Sequence, residues 1–130
     1  MKLRDCIIIP QNLEPYHPEA HTATTNRRLI GQETVGARKL EVVLGVVEPG
    51  GRAEKHSHPG VEQVVFIIEG RCLVEMWGES GEVGPGEAVF FPPGVAHRIT
   101  ALGDRPGKAL VIYSPPIQTL ATPFETEAVS

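Results

Sequence analysis

The chain has 130 residues, of which 41% are hydrophobic and 22% charged, and a formal net charge of −4. This is the size of one ordinary domain with a single core, and the composition excludes a disordered or fibrous chain. The Lys and Arg residues are scattered, which excludes a phosphate-neutralising nucleic-acid surface, and the longest apolar runs, 42–47 and 64–68, fall far short of the roughly 20 residues that cross a bilayer.

Residues 1–35 are rich in Pro, Asn, Thr and His with weak periodicity, and are expected to form an N-terminal arm with an edge strand at 6–9. The Ile7-Ile8-Ile9 run before Pro10 is too short for a secretory segment, so a cytoplasmic protein is expected. His17 and His21 are separated by Pro18 and are read as loop residues, the arm having some scope to fold over the barrel mouth. β-Branched runs then follow at 39–47, 63–68, 72–77, 88–91, 97–101 and 109–113. In the first, Leu40, Val42, Leu44 and Val46 alternate as a half-buried strand requires. The run at 63–68 is apolar on both faces, which suits a central strand. Turns are expected at 49–51, 78–81, 84–86 and 103–104, where Gly, Pro and Asp supply the backbone angles of tight reversals. Met76, Trp77, Phe90 and Tyr113 are candidate core residues. A tail occupies 116–130. With 14 Gly, 12 Pro and no sustained helical period, the fold class is all-β, a sandwich or barrel over 36–115 with no internal repeat. Cys6 and Cys72 are expected as reduced thiols, Cys72 buried in a strand. Two chance likenesses fail on context: Gly78 to Gly81 misses a nucleophile elbow by one residue, and Gly84-Pro85-Gly86 lacks the third glycine and the helix of a dinucleotide fingerprint.

Two segments carry chemistry. His56 and His58 are two apart, so on a strand they project from one face with Cα atoms about 7 Å apart, a spacing that suits two imidazoles on one ion. Further on, Gly86 to His97 reads as a strand, a Pro-Gly turn and a histidine opening the next strand. Together these segments resemble the two motifs of the cupin superfamily, G-x5-H-x-H-x(3,4)-E-x6-G and G-x5-P-x-G-x2-H-x3-N. Gly50, His56, His58 and Gly70 match the first, and Gly86, Pro92, Gly94 and His97 the second; the similarity spans about 38–115. The resemblance implies a double-stranded β-helix (jelly-roll) barrel of two antiparallel sheets.

The chain departs from the motifs at two places. Six residues before Gly70 stands Gln63 rather than glutamate, while its neighbour Glu62 fits the histidine spacing but leaves seven residues before Gly70. Alternation does not arbitrate, because a turn at Pro59-Gly60 intervenes; Gln63 is preferred since the strand running to Gly70 is stiffer than that turn. Cupins that process unsaturated uronates resemble this chain in carrying glutamine there. Ala101 replaces the asparagine of the second motif, which is not a ligand in the family.

What the resemblance implies is one divalent transition metal ion (Fe, Mn, Zn, Ni, Co or Cu) on His56, His58, Gln63 and His97. If Gln63 binds the metal, its neighbour Glu62 is a candidate for a catalytic base, the alternative being an exposed turn carboxylate. Four protein ligands leave room on such an ion for water or substrate. Three neutral imidazoles and an amide leave the ion its whole double charge, which draws in anions. The expected function is a metal-dependent isomerase, lyase or dioxygenase acting on a small anionic oxygen-rich metabolite; the alternative is a non-catalytic, metal-containing binder of small molecules. Small cupins usually pair, so a homodimer is expected, with the strand at 6–9 adding to a neighbour's sheet edge. Neither nucleic acid nor membrane is an expected partner.

Overall fold

The computed structural model describes residues 1–117 and the backbone of 127–128; the remainder of the expected tail lies outside the described residues. Nine strands occur among these residues: β1 His21–Ile30, β2 Glu41–Ser57, β3 Glu62–Glu69, β4 Arg71–Met76, β5 Glu79–Val83, β6 Ala88–Phe91, β7 His97–Leu102, β8 Gly107–Ser114 and β9 Glu127–Ala128. They form one antiparallel sheet in the order β5-β4-β7-β2-β8-β3-β6, with β1 and β9 also paired to β2, curled into a nearly closed barrel. The all-β expectation holds.

Strand β2 belongs to both halves of the barrel. Residues 41–47 pair with β8, whereas Arg52, Ala53 and His56 pair with β7. The turn expected at 49–51 is therefore a bend inside one long strand. Gly50 sits at φ +82, and a Cβ at Gly51 would stand 2.8 Å from Thr22 O and 2.9 Å from Glu48 O, closer than carbon approaches backbone oxygen. Two glycines let the strand turn the corner, where the register with β1 shifts and the partner changes from β8 to β7.

Two buried clusters fill the interior. Val65, Ile67, Cys72, Val74 and Phe91 form one; Val43, Val61, Tyr113 and Ile117 form the other. Cys72 is a buried free thiol, as expected, and burial raises its pKa. Of the four aromatic and Met core candidates, Tyr113 is buried and Met76 half-buried, but Phe90 is 47% and Trp77 66% exposed. Phe90 faces outward because Phe91 takes the inward position. Trp77 and Gly78, both at positive φ, make the two-residue turn of the β4–β5 hairpin, so the reversal falls at 77–78 and not at 78–81.

The N-terminal arm differs most from expectation. Leu3–Cys6 is a 3-10 turn and Ile7 to Ile9 carry no strand; the arm's strand is β1, laid along β2. Gln32–Val35 adds one helical turn, α1. A buried ion pair ties this arm down. Arg28 Nε reaches Glu41 Oε2 at 2.6 Å and Arg28 Nη1 reaches Glu33 Oε1 at 2.8 Å, while the Ile117 N–H donates to Glu41 Oε1 at 3.0 Å. The Arg28 guanidinium also stands 4.8 Å from the Tyr16 ring centre. Burial opposes the charge on Arg28, but its hydrogen bonds to Glu33 and Glu41 outweigh that and raise its pKa. Glu41 is only 1% exposed, so removing it leaves the largely buried Arg28 with Glu33 alone and the Ile117 N–H without its acceptor. Glu41→Ala is expected to cost about 3 kcal/mol in urea unfolding; a loss below about 1 kcal/mol would show that the arm is held by packing alone.

Candidate metal centre

Three histidines meet at one end of the barrel. His56 lies near the end of β2, His58 just past it, and His97 opens β7 directly across from His56 in the antiparallel register. All three are buried. Their ring centres are 4.8 Å (His56–His58), 4.5 Å (His56–His97) and 5.8 Å (His58–His97) apart, and one nitrogen from each falls within 4.8 Å of the others, so the three could hold a metal ion. His58 is placed by two loops closing on its backbone: its carbonyl accepts the Val61 N–H at 3.3 Å and the Gly94 N–H at 3.1 Å.

The electrostatics favour neutral rings with lone pairs to offer. His97 Nδ1 is 3.1 Å from Val95 O, and His56 Nδ1 hydrogen-bonds Glu54 O. A carbonyl oxygen can only accept, so Nδ1 carries the proton and Nε2 keeps its lone pair. Burial, reinforced by repulsion from His56 and His58, pushes the His97 pKa down to about 3; burial lowers His56 as well. Phe91 stacks on His97 at 4.0 Å, and Tyr113 meets the His58 ring edge-on at 5.5 Å, its phenol pKa raised by burial.

Gln63 and Glu62 point opposite ways. Gln63 is 5% exposed and lies in register with Phe91 on one side and Tyr113 on the other, the same residues that pack against His97 and His58. Glu62 is exposed, on the outer face. Gln63 Oε1 and His97 Nε2 are buried with no hydrogen-bond partner among the described residues. Three imidazole nitrogens and an amide oxygen make a donor set that suits a divalent transition ion, so the residues fit the group that the motif implies.

A cavity of about 100 Å³ runs from Gln63 and Tyr113 into the barrel, walled largely by Val65, Ile67, Ile99, Val111 and the small Ala101 and Ala109. Ala101 thus puts a methyl where the second motif has a polar side chain. His21, expected as a loop residue, instead opens β1 and lines this cavity, with its ring centre 5.6 Å from that of His56. Pairing of His21 with Ala53 sets it there, and its Nδ1 hydrogen-bonds Glu19 O at 2.7 Å. Burial lowers its pKa. His17 stays outside this group, its Nδ1 at 3.0 Å from Thr24 O.

Comparison with known proteins agrees with this geometry. The chain is 28% identical over 114 residues to polyketide synthase CurC of Streptomyces cyaneus, covering 88% of this chain and 72% of that protein. It is 31% identical over 100 residues to the tetracenomycin polyketide synthase protein TcmJ of Streptomyces glaucescens, covering 75% of this chain and 66% of that one. Among solved structures, the polyketide cyclase RemF from Streptomyces resistomycificus superposes with a TM-score of 0.73 at 26% identity, over 88% of this chain and 84% of that chain. KdgF from Halomonas sp. superposes with a TM-score of 0.72 at 20% identity, over 84% and 92%. The sequence model of the cupin domain matches residues 43–113, and with the barrel and its histidines this shows that the chain belongs to the cupin family.

Proposed function

We propose that this chain is a metal-dependent enzyme that acts on a small oxygen-rich metabolite bound as an anion, by isomerase, lyase or dioxygenase chemistry, with one divalent ion on His56, His58, Gln63 and His97. The observation that carries the proposal is the pair of buried lone pairs without a hydrogen-bond partner among the described residues, on His97 Nε2 and on Gln63 Oε1, the latter residue lining the cavity. Each would cost about 1–3 kcal/mol if left unmet, and a shared cation meets both. Such an ion supplies Lewis-acid polarisation of a substrate oxygen.

The chain's own residues supply the rest. Val65, Ile67, Ile99 and Val111 give the cavity an apolar stretch next to Gln63. Tyr113 keeps its phenol proton. With Nδ1 on the Glu19 carbonyl, the neutral His21 ring keeps an Nε2 lone pair that can accept a hydrogen bond from a ligand hydroxyl. The names of CurC, TcmJ and RemF point to polyketides, whose repeated carbonyls are oxygen-rich and readily enolised; an apolar cavity beside a cation suits a carbonyl compound of that class.

The first test is composition. Protein purified from its own host without chelator should contain about one equivalent of a transition ion, and stripping it should lower the melting temperature. Absence of metal, with no added Fe, Mn, Co, Ni, Cu or Zn raising that temperature, would overturn the proposal.

Acid should act on the stripped protein in a defined window. His97 has its native pKa near 3 against an ordinary value of 6.5, so between these pH values the unfolded chain binds more protons and stability rises with pH. This contribution is complete above the ordinary value and is lost as pH falls toward 3. The urea midpoint of metal-free protein should therefore fall between about pH 7 and pH 4, and less steeply in His97→Gln. Equal slopes would mean that this imidazole is not desolvated.

The glutamine sets the charge. Gln63→Glu should tighten metal retention and weaken binding of an anionic probe such as oxalate by about tenfold, read by calorimetry on the metal-loaded protein. Unchanged affinity for both would place Gln63 away from the ion.

A further inference from the structure

Strand β1 walls one side of the cavity with polar side chains. Asn26 pairs with Gly45, Gly45 with Ala109 and Ala109 with Ile67, so the four share one inward row, two rows or about 13 Å along the strands from that of Gln63. All four line the cavity, and the glycine and alanine leave the middle of the row hollow. A Cβ on Gly45 would stand 2.9 Å from Asn26 Oδ1, so the missing side chain is what lets the amide oxygen overhang the cavity there. Thr24, two residues along β1, lines the same cavity and is 7% exposed.

The protein already uses the hydrogens of these groups. Thr24 Oγ1 donates its only hydrogen to Thr22 O at 3.1 Å, which leaves it lone pairs. The Asn26 amide hydrogen-bonds the Tyr16 phenol, and with Oδ1 over Gly45 it is the N–H end that meets Tyr16. His21 Nδ1 is taken up by Glu19 O, leaving Nε2. This wall is therefore a run of acceptors. A ligand O–H turned toward it finds a partner, whereas a carbonyl or ether oxygen meets lone pair with lone pair and loses its water without replacement. Val65, Ile67 and Val111 on the facing wall are hydrocarbon.

We infer that Asn26 is a specificity residue that accepts a hydrogen bond from a ligand hydroxyl, and that the ligand is a flat ring of the phenol or enol kind, with coordinating oxygens at one end and hydroxyl donors along the edge facing β1. The coordinating end rests on the metal site proposed above; the hydroxyl edge rests on β1 alone. The faces of such a ring are apolar and suit the wall of β3 and β8, whereas a sugar acid carries hydroxyls on all sides and would press several of them onto hydrocarbon. A polyketone in its keto form brings only acceptors to β1, so its enolised form is the one taken up. Size agrees, since a cavity of about 100 Å³ is on the scale of the roughly 150 Å³ that takes up one benzene ring.

Calorimetry on the metal-loaded full chain tests this with three probes: salicylate, and salicylate bearing either a hydroxyl or a methoxyl para to its carboxylate. All three offer the ion the same chelating edge and differ only at the position that points away from it. The hydroxyl compound should bind about tenfold more tightly than the methoxyl compound. In Asn26→Leu that preference should fall to about twofold or less, while plain salicylate, which lacks the group, keeps its affinity. Asn26→Ala takes the place of the leucine variant if that one does not fold. Salicylate binding with no preference between the other two would leave the ion standing and overturn the inference, as would an undiminished preference in a folded Asn26 variant or no binding of any probe. The same preference in metal-free protein would uphold the role of Asn26 and count against the ion.

Discussion

The fold and the site depend on one backbone constraint, the close approach at Gly51. A side chain there would press on the carbonyls of Thr22 and Glu48, so only glycine lets β1 lie against the corner of β2. With that corner made, a single strand holds Glu41 in the buried ion pair at one end and His56 among the histidines at the other. It also brings β1 along both of its segments, and with β1 comes His21. A residue larger than glycine at 51 would thus disturb the arm, the corner and the approach of His56 to His97 together.

Much of this was legible because most barrel strands obey the ordinary alternation of apolar and polar side chains. Strands β2, β3, β4, β6, β7 and β8 all begin within a few residues of their expected positions. Strand β1 was not legible, and the reason is physical. Its inward residues are Thr24 and Asn26, which line the cavity, and Arg28, which meets Glu41, so the interior is polar along that strand and the hydrophobic period vanishes. Strand β5 was hidden differently: four of its five residues are exposed, so neither face carries a burial pattern. In each case the strand is specified by partners distant in sequence, which a local reading does not contain.

The site divides along the same line. His56, His58 and His97 stand at strand ends with Gly and Pro turns beside them, and short-range spacing is enough to find them. The orientation of Gln63 against Glu62 was beyond alternation, because the turn at Pro59-Gly60 resets the phase of β3. The register with Tyr113 and Phe91 sets that phase, turning Gln63 into the barrel and Glu62 out. His21 depends on a longer path still. Ala20 and Ala23 on either side of it adopt left-handed backbone at φ +59 and +53, a conformation that costs an alanine about 1 kcal/mol or more and that the pairing with Ala53 must hold in place.

The cavity wall is apolar along β3 and β8 and polar elsewhere, with Thr24 and Asn26 on β1 and with Arg52, Glu69, Arg71 and Lys108 also contributing to it. Next to Gln63 the walls are Val65, Ile67, Ala109 and Val111, and Ala101 adds a methyl where the second motif has a polar residue. A polar group held against the apolar stretch would go without a partner, at a cost of about 1–3 kcal/mol. A ligand with its oxygens at one end and hydrocarbon behind them meets no such penalty. The apolar stretch therefore disfavours a polar group placed against Val65, Ile67, Ala109 or Val111, and the methyl of Ala101 adds to it.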